Sequence, residues 1–312
     1  MAGQRQRDPL WQHAVDEFVA EKRRSGSSPA TLQIYENRLL GGRISAWRAK
    51  EGIERVSQLT PAALREYELL LADARDHRGR PLSAATRHQH HRVVHTFVAW
   101  CREEGWLVPE GTLAIRGPKL PQRRPPTLSA ADEAKVLAAC RCERDHYLIE
   151  FMLRTGIRLA GVCSATLDDI IQGPAGAMVR VVEKGNKERV IPLDTATYRG
   201  TRRLRTYVDT VRPRNTRRRE LFLTLRLEDG GSDYSPLTPR AVQTIFKRLS
   251  LATGVKLHPH LLRHTMASRA IAAGVDPLTL QRVLGHSTLS TTAIYVQHDE
   301  SSLSRIWARR TD

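Results

Sequence analysis

At roughly 150 residues per domain, a chain of 312 residues has room for about two domains, each able to bury its own core. Its 50 Lys and Arg against 33 Asp and Glu leave a net charge of +17, while 40% hydrophobic residues are too many for a disordered basic tail. No run approaches the roughly 18 apolar residues of a membrane span, the amino terminus lacks a signal-peptide stretch, and four irregularly spaced cysteines make no disulfide scaffold. These features describe a soluble, reduced, cytoplasmic protein whose charge asks for a polyanion.

The charge is uneven: +3 over residues 1–113, +4 over 114–127 and +10 over 128–312. A basic surface grips phosphates regardless of sequence by releasing counterions. In chain order, Leu10, Ala14, Val15, Phe18 and Val19 form one apolar stripe at helical spacing. Ser28-Pro29 reads as a cap with proline at the first helical position, opening a second helix through Leu32, Tyr35 and Leu39. Thr60-Pro61 repeats the signature before Leu64, Tyr67 and Leu71. Ser83 opens a fourth helix whose core face is Val93, Val94, Phe97, Val98 and Trp100, ending near Gly105. Four antiparallel helices make residues 1–113 a small helical bundle. The histidines at 88, 90, 91 and 95 read as solvated or DNA-facing rather than as metal ligands, because no carboxylate or cysteine stands at ligand spacing.

Residues 114–127, rich in proline and carrying four basic side chains, read as an interdomain linker. Ser129 caps the next helix, with Val136 and Leu137 facing inward. Residues 178–182 and 189–193 are β-prone and flank Glu183-Lys184-Gly185-Asn186-Lys187-Glu188, which makes a hairpin with Lys184 near its turn. Arginines crowd 199–219, as phosphate contacts or as a solvated face. Cys140, Cys142 and His146 lack the second pair that a zinc site needs, so these thiols read as packing residues.

Four short strings carry the chemistry: Thr155-Gly156-Ile157-Arg158, the Lys184 hairpin, His260-Leu261-Leu262-Arg263-His264, and Leu284-Gly285-His286 with Tyr295 nine residues on. Together and in this order they resemble the tyrosine recombinase (phage integrase) family over essentially all of 128–312, with a looser likeness over 1–113. The resemblance implies a mainly α fold with a small β-hairpin or sheet. It joins a four-helix, SAM-like core-binding domain to a catalytic domain of the tyrosine recombinase type.

By that resemblance Tyr295 is the nucleophile, Arg158 and Arg263 flank the scissile phosphate, Lys184 matches the hairpin lysine, and His260 and His286 match the two histidine positions. Chemistry then suggests Lys184, with Lys187 as its competitor, as the acid for the departing 5′-oxygen, His260 as acceptor of the phenolic proton, and His286 as donor to a phosphate oxygen. His264 is set aside as a structural or hydrogen-bonding neighbour. Guanidinium groups suit a phosphoryl transition state because they are planar, permanently charged and able to bond two oxygens at once. With no Asp/Glu cluster at Mg²⁺ spacing, the expectation is no metal and no cofactor. The implied partners are double-stranded DNA and a homo-tetramer on it, with a monomer or weak oligomer off it and no membrane. The implied activity is strand exchange through a 3′-phosphotyrosyl intermediate and a Holliday junction. Rival readings are a type IB topoisomerase and a non-catalytic DNA-binding regulator on the same fold. The first helix begins near residue 10, which favours a simple, Xer-like recombinase over one with an added arm-binding domain.

Two departures stand out. Gly161 occupies the place of the acidic residue that family members usually carry three positions after the first arginine, and Ala165 replaces an apolar side chain. The expectation is an Arg158 held from elsewhere or ordered by bound phosphate. Leu303, Ile306 and Trp307 mark a C-terminal amphipathic helix that docks on a neighbour or on its own domain.

Overall fold

A computed structural model describes residues 7–120, 125–173, 176–183, 187–193, 204–227, 233–286 and 288–296. The chain divides into two compact units, residues 1–122 and 123–312. Lys184, the hairpin turn around it and the 303–307 segment lie outside the described residues.

The first unit contains α1 (Trp11–Arg24), α2 (Pro29–Leu39), α3 (Gly42–Glu51), α4 (Pro61–Asp73) and α5 (Ala84–Glu103). Ser28, Thr60 and Ser83 each accept a backbone N–H from the residue three positions on, which starts α2, α4 and α5 as their caps predict. The bundle holds five helices rather than four, because α3 was not foreseen. Only Ile44 and Trp47 of α3 are buried, so it lacks a long apolar stripe. Leu10 also departs from expectation: it is 51% exposed, and Trp11 takes the inward position, donating its indole N–H to the Leu39 carbonyl at 2.9 Å. Phe97 lies edge-on to Trp11 and Phe18, with ring centres 5.1 and 5.5 Å apart, so α5 forms the spine of this core.

The histidines of α5 are not solvated. His90 is buried with its Nδ1 3.1 Å from the Tyr67 hydroxyl, and His91 is buried with its Nδ1 2.8 Å from a Glu68 carboxylate oxygen. His88 and His95 donate to the carbonyls of Pro118 and Leu113, at 3.2 and 3.1 Å. Ile115 packs on the same core, so the start of the expected linker belongs to this unit.

The second unit opens with α6 (Ala130–Ala138), capped by Ser129, then α7 (Glu143–Thr155) and α8 (Leu159–Ser164). A three-stranded antiparallel sheet follows in the order β1 (Ile170–Gly173), β2 (Gly176–Glu183) and β3 (Lys187–Pro192). β2 and β3 are the hairpin read from the sequence, paired Val179 to Ile191 and Val181 to Arg189. β1 adds a strand that was too short to show as a period. A two-stranded ribbon, β4 (Leu223–Leu227) with β5 (Tyr234–Pro236), leads into α9 (Pro239–Thr253), α10 (Pro259–Ala272), α11 (Pro277–Leu284) and α12 (Leu289–Val296).

The buried core gathers Leu148, Met152, Val179, Ile191, Tyr207, Phe222, Val242 and Leu262, with Asp145 fully buried among them. Asp145 is held by Arg144 at 2.6 Å and by Arg248, so its charge is paired and ties α7 to α9. In the arginine-rich stretch, buried Arg212 donates to the carbonyls of Pro213, Arg218 and Glu220, and Arg219 pairs with Asp168. Arg212 thus holds its own loop together, and Arg219 ties that loop to the turn ahead of β1. Among the described residues no group of three or more His, Cys, Asp and Glu is placed to hold a metal ion, and no helix is long and apolar enough to cross a membrane. All four cysteines are free thiols, and burial pushes Cys140 and Cys163 up to about 11.

Gly161 has a packing reason. A Cβ there would stand 3.0 Å from Val181 Cγ1 and 3.1 Å from Ile157 Cγ1, so β2 occupies the space that a side chain would need. Overpacking of this kind costs about 1–3 kcal/mol, more than the 0.5–1 kcal/mol regained by removing a helical glycine. Gly161→Glu should therefore melt at lower temperature than wild type in circular dichroism scans, with Gly161→Ala between them. A melting point for the Glu variant equal to or above wild type would contradict this packing.

Burial, and then Arg38 and Arg43, hold the His90 imidazole down to about 4. The unfolded chain protonates this residue near pH 6.5, so it binds more protons than the folded one between pH 6.5 and 4, and stability falls as pH drops through that window. The loss by pH 5 should be about 2 kcal/mol. In urea melts from pH 7 to 5, His90→Gln should show a shallower decline than wild type, whatever its stability at pH 7.

Candidate active site

α7 ends in Gly156, whose φ of 60° lies in the left-handed region. A Cβ there would stand 2.3 Å from Met266 Cε, so both the turn and the close approach of α10 call for glycine. The turn brings the chain to Arg158, which sits half-buried in extended conformation just ahead of α8. Its Nη2 donates to the Gly285 carbonyl at 3.3 Å.

Arg263 lies in the middle of α10, only 4% exposed. Its Nη1 donates to the Gly156 carbonyl at 2.7 Å and its Nη2 to the Leu284 carbonyl at 2.5 Å. Leu284 and Gly285 close α11, and Gly285 turns the chain with a φ of 64°. The two guanidinium groups thus dock on consecutive carbonyls at one helix terminus, where aligned peptide dipoles favour positive charge. A third arginine joins them: Arg189 of β3 donates to the Val283 carbonyl. Arg189 was not singled out in the sequence, although it stands inside the hairpin string that carries Lys184.

His286 follows Gly285 directly. Its backbone N–H returns to the Gln281 carbonyl at 3.1 Å, and its Nδ1 lies 2.8 Å from the hydroxyl of fully buried Thr292 on α12. His260, near the start of α10, is exposed on the surface. Partial burial, and then Arg263, His258 and Arg158, lower its pKa and keep the imidazole neutral. Both sequence-predicted arginines, His260 and His286 are therefore gathered around the meeting of α10 and α11.

Tyr295, on α12, is 5% exposed among Met266, Ala267, Ala270, Leu280 and Leu284. Burial raises its pKa, and Arg263 opposes that rise. Its hydroxyl stands 2.6 Å from Nδ1 of His264, the histidine set aside as a neighbour, not against His260. The rings of His260 and His264 are 6.4 Å apart, one turn along the same face of α10. That i, i+4 spacing was the signal available for His264.

The profile of the phage integrase family matches residues 126–302. The tyrosine recombinase XerC of Corynebacterium glutamicum is 30% identical over 277 residues, spanning 86% of this chain and 82% of the relative. XerC of Xanthomonas campestris pv. campestris is 28% identical over 311 residues, 94% of this chain and 87% of the relative. In fold, the chain is similar to XerH bound to palindromic difH substrate in a post-cleavage complex, at a TM-score of 0.67, 17% identity, and 96% and 84% coverage of the two chains. It is likewise similar to a lambda integrase tetramer bound to a Holliday junction, at a TM-score of 0.67, 17% identity, and 90% and 78% coverage. With the family profile covering more than half of the chain and a 30% identical relative aligned along most of its length, the chain belongs to the phage integrase family and is a site-specific tyrosine recombinase.

Proposed function

We propose that the protein binds duplex DNA and exchanges strands through a 3′-phosphotyrosine at Tyr295. The observation that carries this reading is the pair Arg158 and Arg263, fixed on the adjacent carbonyls of Gly285 and Leu284 within a shell that also holds a buried tyrosine. A carbonyl acceptor orients a guanidinium without cancelling its charge, and a guanidinium so placed can bond two non-bridging oxygens of a phosphate at once. As phosphorus becomes pentacoordinate those oxygens gain negative charge, and preorganised donors stabilise it, with one well-placed donor worth about 2.7–4 kcal/mol. His260 and His286 border the phosphate as imidazole donors. Lys184 protonates the departing 5′-oxygen.

Attack gives a phosphotyrosine and a free 5′-hydroxyl. One phosphoester replaces another, so a second 5′-hydroxyl can reverse the step without an external energy source. The relatives and the lambda integrase complex support two further steps in this reading: four copies assemble on two sites, and the exchange passes through a Holliday junction. The site of action is the cytoplasm. The named relatives are recombinases, which favours this reading over DNA relaxation alone or non-catalytic binding.

Sites selected from random duplexes and rebuilt as nicked suicide substrates test the proposal. Wild type should form a covalent protein–DNA adduct that EDTA does not suppress, and Tyr295→Phe should form none. An adduct that survives Tyr295→Phe would place the nucleophile elsewhere. On the same substrates Arg263→Ala should cleave about 10²–10³-fold more slowly, the loss expected for one such donor. Plasmids with two sites should give recombinant products; relaxation without them would favour the topoisomerase reading.

A further inference from the structure

The tyrosine hydroxyl has a definite partner, and it is not the histidine that the sequence motif nominates. His264 Nδ1 stands 2.6 Å from the Tyr295 oxygen, in the range of a short hydrogen bond. The ring lies half-buried on the inner side of α10, with its centre 5.8 Å from that of the tyrosine. We infer that His264 is the group that takes the phenolic proton of Tyr295, a catalytic role distinct from that of His260. This rests on the reading of Tyr295 as nucleophile.

The chemistry is consistent on three counts. Tyr295 is 5% exposed, so water has little access to the phenol, and the side chain already touching its oxygen is the acceptor in place. Burial, followed by His260, His258 and Arg263, lowers the pKa of His264 and so favours the uncharged ring, and the close contact at Nδ1 suits the tautomer whose lone pair faces the phenol. Geometry also separates the two histidines: His260 senses both Arg158 and Arg263 and stands at the exposed end of the helix, while His264 is one turn deeper, beside the tyrosine. One imidazole faces the phosphate and the other faces the nucleophile.

The step balances without an added reactant. The Tyr295 O–H proton passes to His264 Nδ1 as the phenolic oxygen forms its bond to phosphorus. The bond from phosphorus to the 5′-oxygen breaks, and that oxygen takes its proton from Lys184. When the 5′-hydroxyl of the exchanged strand attacks the phosphotyrosine, its proton passes to the neutral amine left on Lys184, and the imidazolium of His264 returns its proton to the departing phenolic oxygen. A single histidine then serves as base for cleavage and acid for rejoining.

A 5′-bridging phosphorothiolate duplex carrying a selected site isolates the nucleophile's side, because a thiolate departs without a proton from Lys184. His264→Asn keeps an acceptor near the Nδ1 position but no base, so it should bind the duplex normally and cleave about 10²–10⁴-fold more slowly, the usual span of general-base catalysis. Placing 3-fluorotyrosine at 295 supplies a more acidic phenol. It should recover at least tenfold of the rate in His264→Asn while changing wild type little. His264→Gln, with melting curves measured alongside, repeats the comparison should the first variant fold poorly. Cleavage by His264→Asn at the wild-type rate, or slow cleavage with no selective gain from the fluorinated phenol, would overturn the assignment. An adduct in Tyr295→Phe would instead overturn the reading of the nucleophile, a separate result.

Discussion

The catalytic unit is organised around the last three carbonyls of one short helix. Val283, Leu284 and Gly285 end α11, and each accepts a guanidinium from a different part of the chain: Arg189 from β3, Arg263 from α10 and Arg158 from the turn after α7. Helix termini leave such carbonyls without partners inside the helix, and cations there meet the negative end of the dipole. The interaction satisfies the helix and places the cations in one event. At position 161, where the family resemblance calls for an acid, the space is filled by Val181 and Ile157. The Gly285 carbonyl is one support for Arg158, and the packing of Val181 and Ile157 leaves little room for an acid at 161.

Tyr295 illustrates the opposing demand. Its ring contributes to the apolar cluster between α10, α11 and α12, yet its oxygen needs a partner. A buried hydroxyl left unsatisfied costs about 1–3 kcal/mol, so the contact with His264 stabilises the domain as well as fixing the position of that oxygen. α11, which helps to bury the phenol, also supplies carbonyls to the surrounding cations, so a shift of α11 alters the arginines and the tyrosine pocket together.

Much of this was legible in the sequence where local chemistry decides. Ser28, Thr60, Ser83 and Ser129 cap helices because a short hydroxyl followed by helix formers has few better uses. The β2–β3 hairpin follows from two β-branched runs about a glycine turn. α3 was missed because two inward residues make no stripe. The α5 histidines were assigned to solvent by residue type, although His90 stands four positions before Val94 and thus on the core face. Periodicity carried the right information there and polarity outvoted it.

The active-site arginines show the limit in a different form. Their residue types were plain in the Thr155–Arg158 and His260–Arg263 strings, and nothing in those strings names their partners. The acceptors are backbone carbonyls, which every residue possesses, so the identities at 283, 284 and 285 carry almost no trace of the contacts made there. Only Gly285 leaves a mark, through the left-handed turn that ends α11 and exposes its terminal carbonyls. Arg189 was hidden for the same reason. It reaches Val283 from the strand that pairs with β2, and so links the lysine-bearing hairpin to the helix that holds the other two arginines. A site assembled on main-chain acceptors tolerates wide change in the side chains that present them, provided that the helix ends at the same place. Its constraint lies in the position of a helix terminus, and a chain is free to drift in sequence around that point while the cations stay where they are.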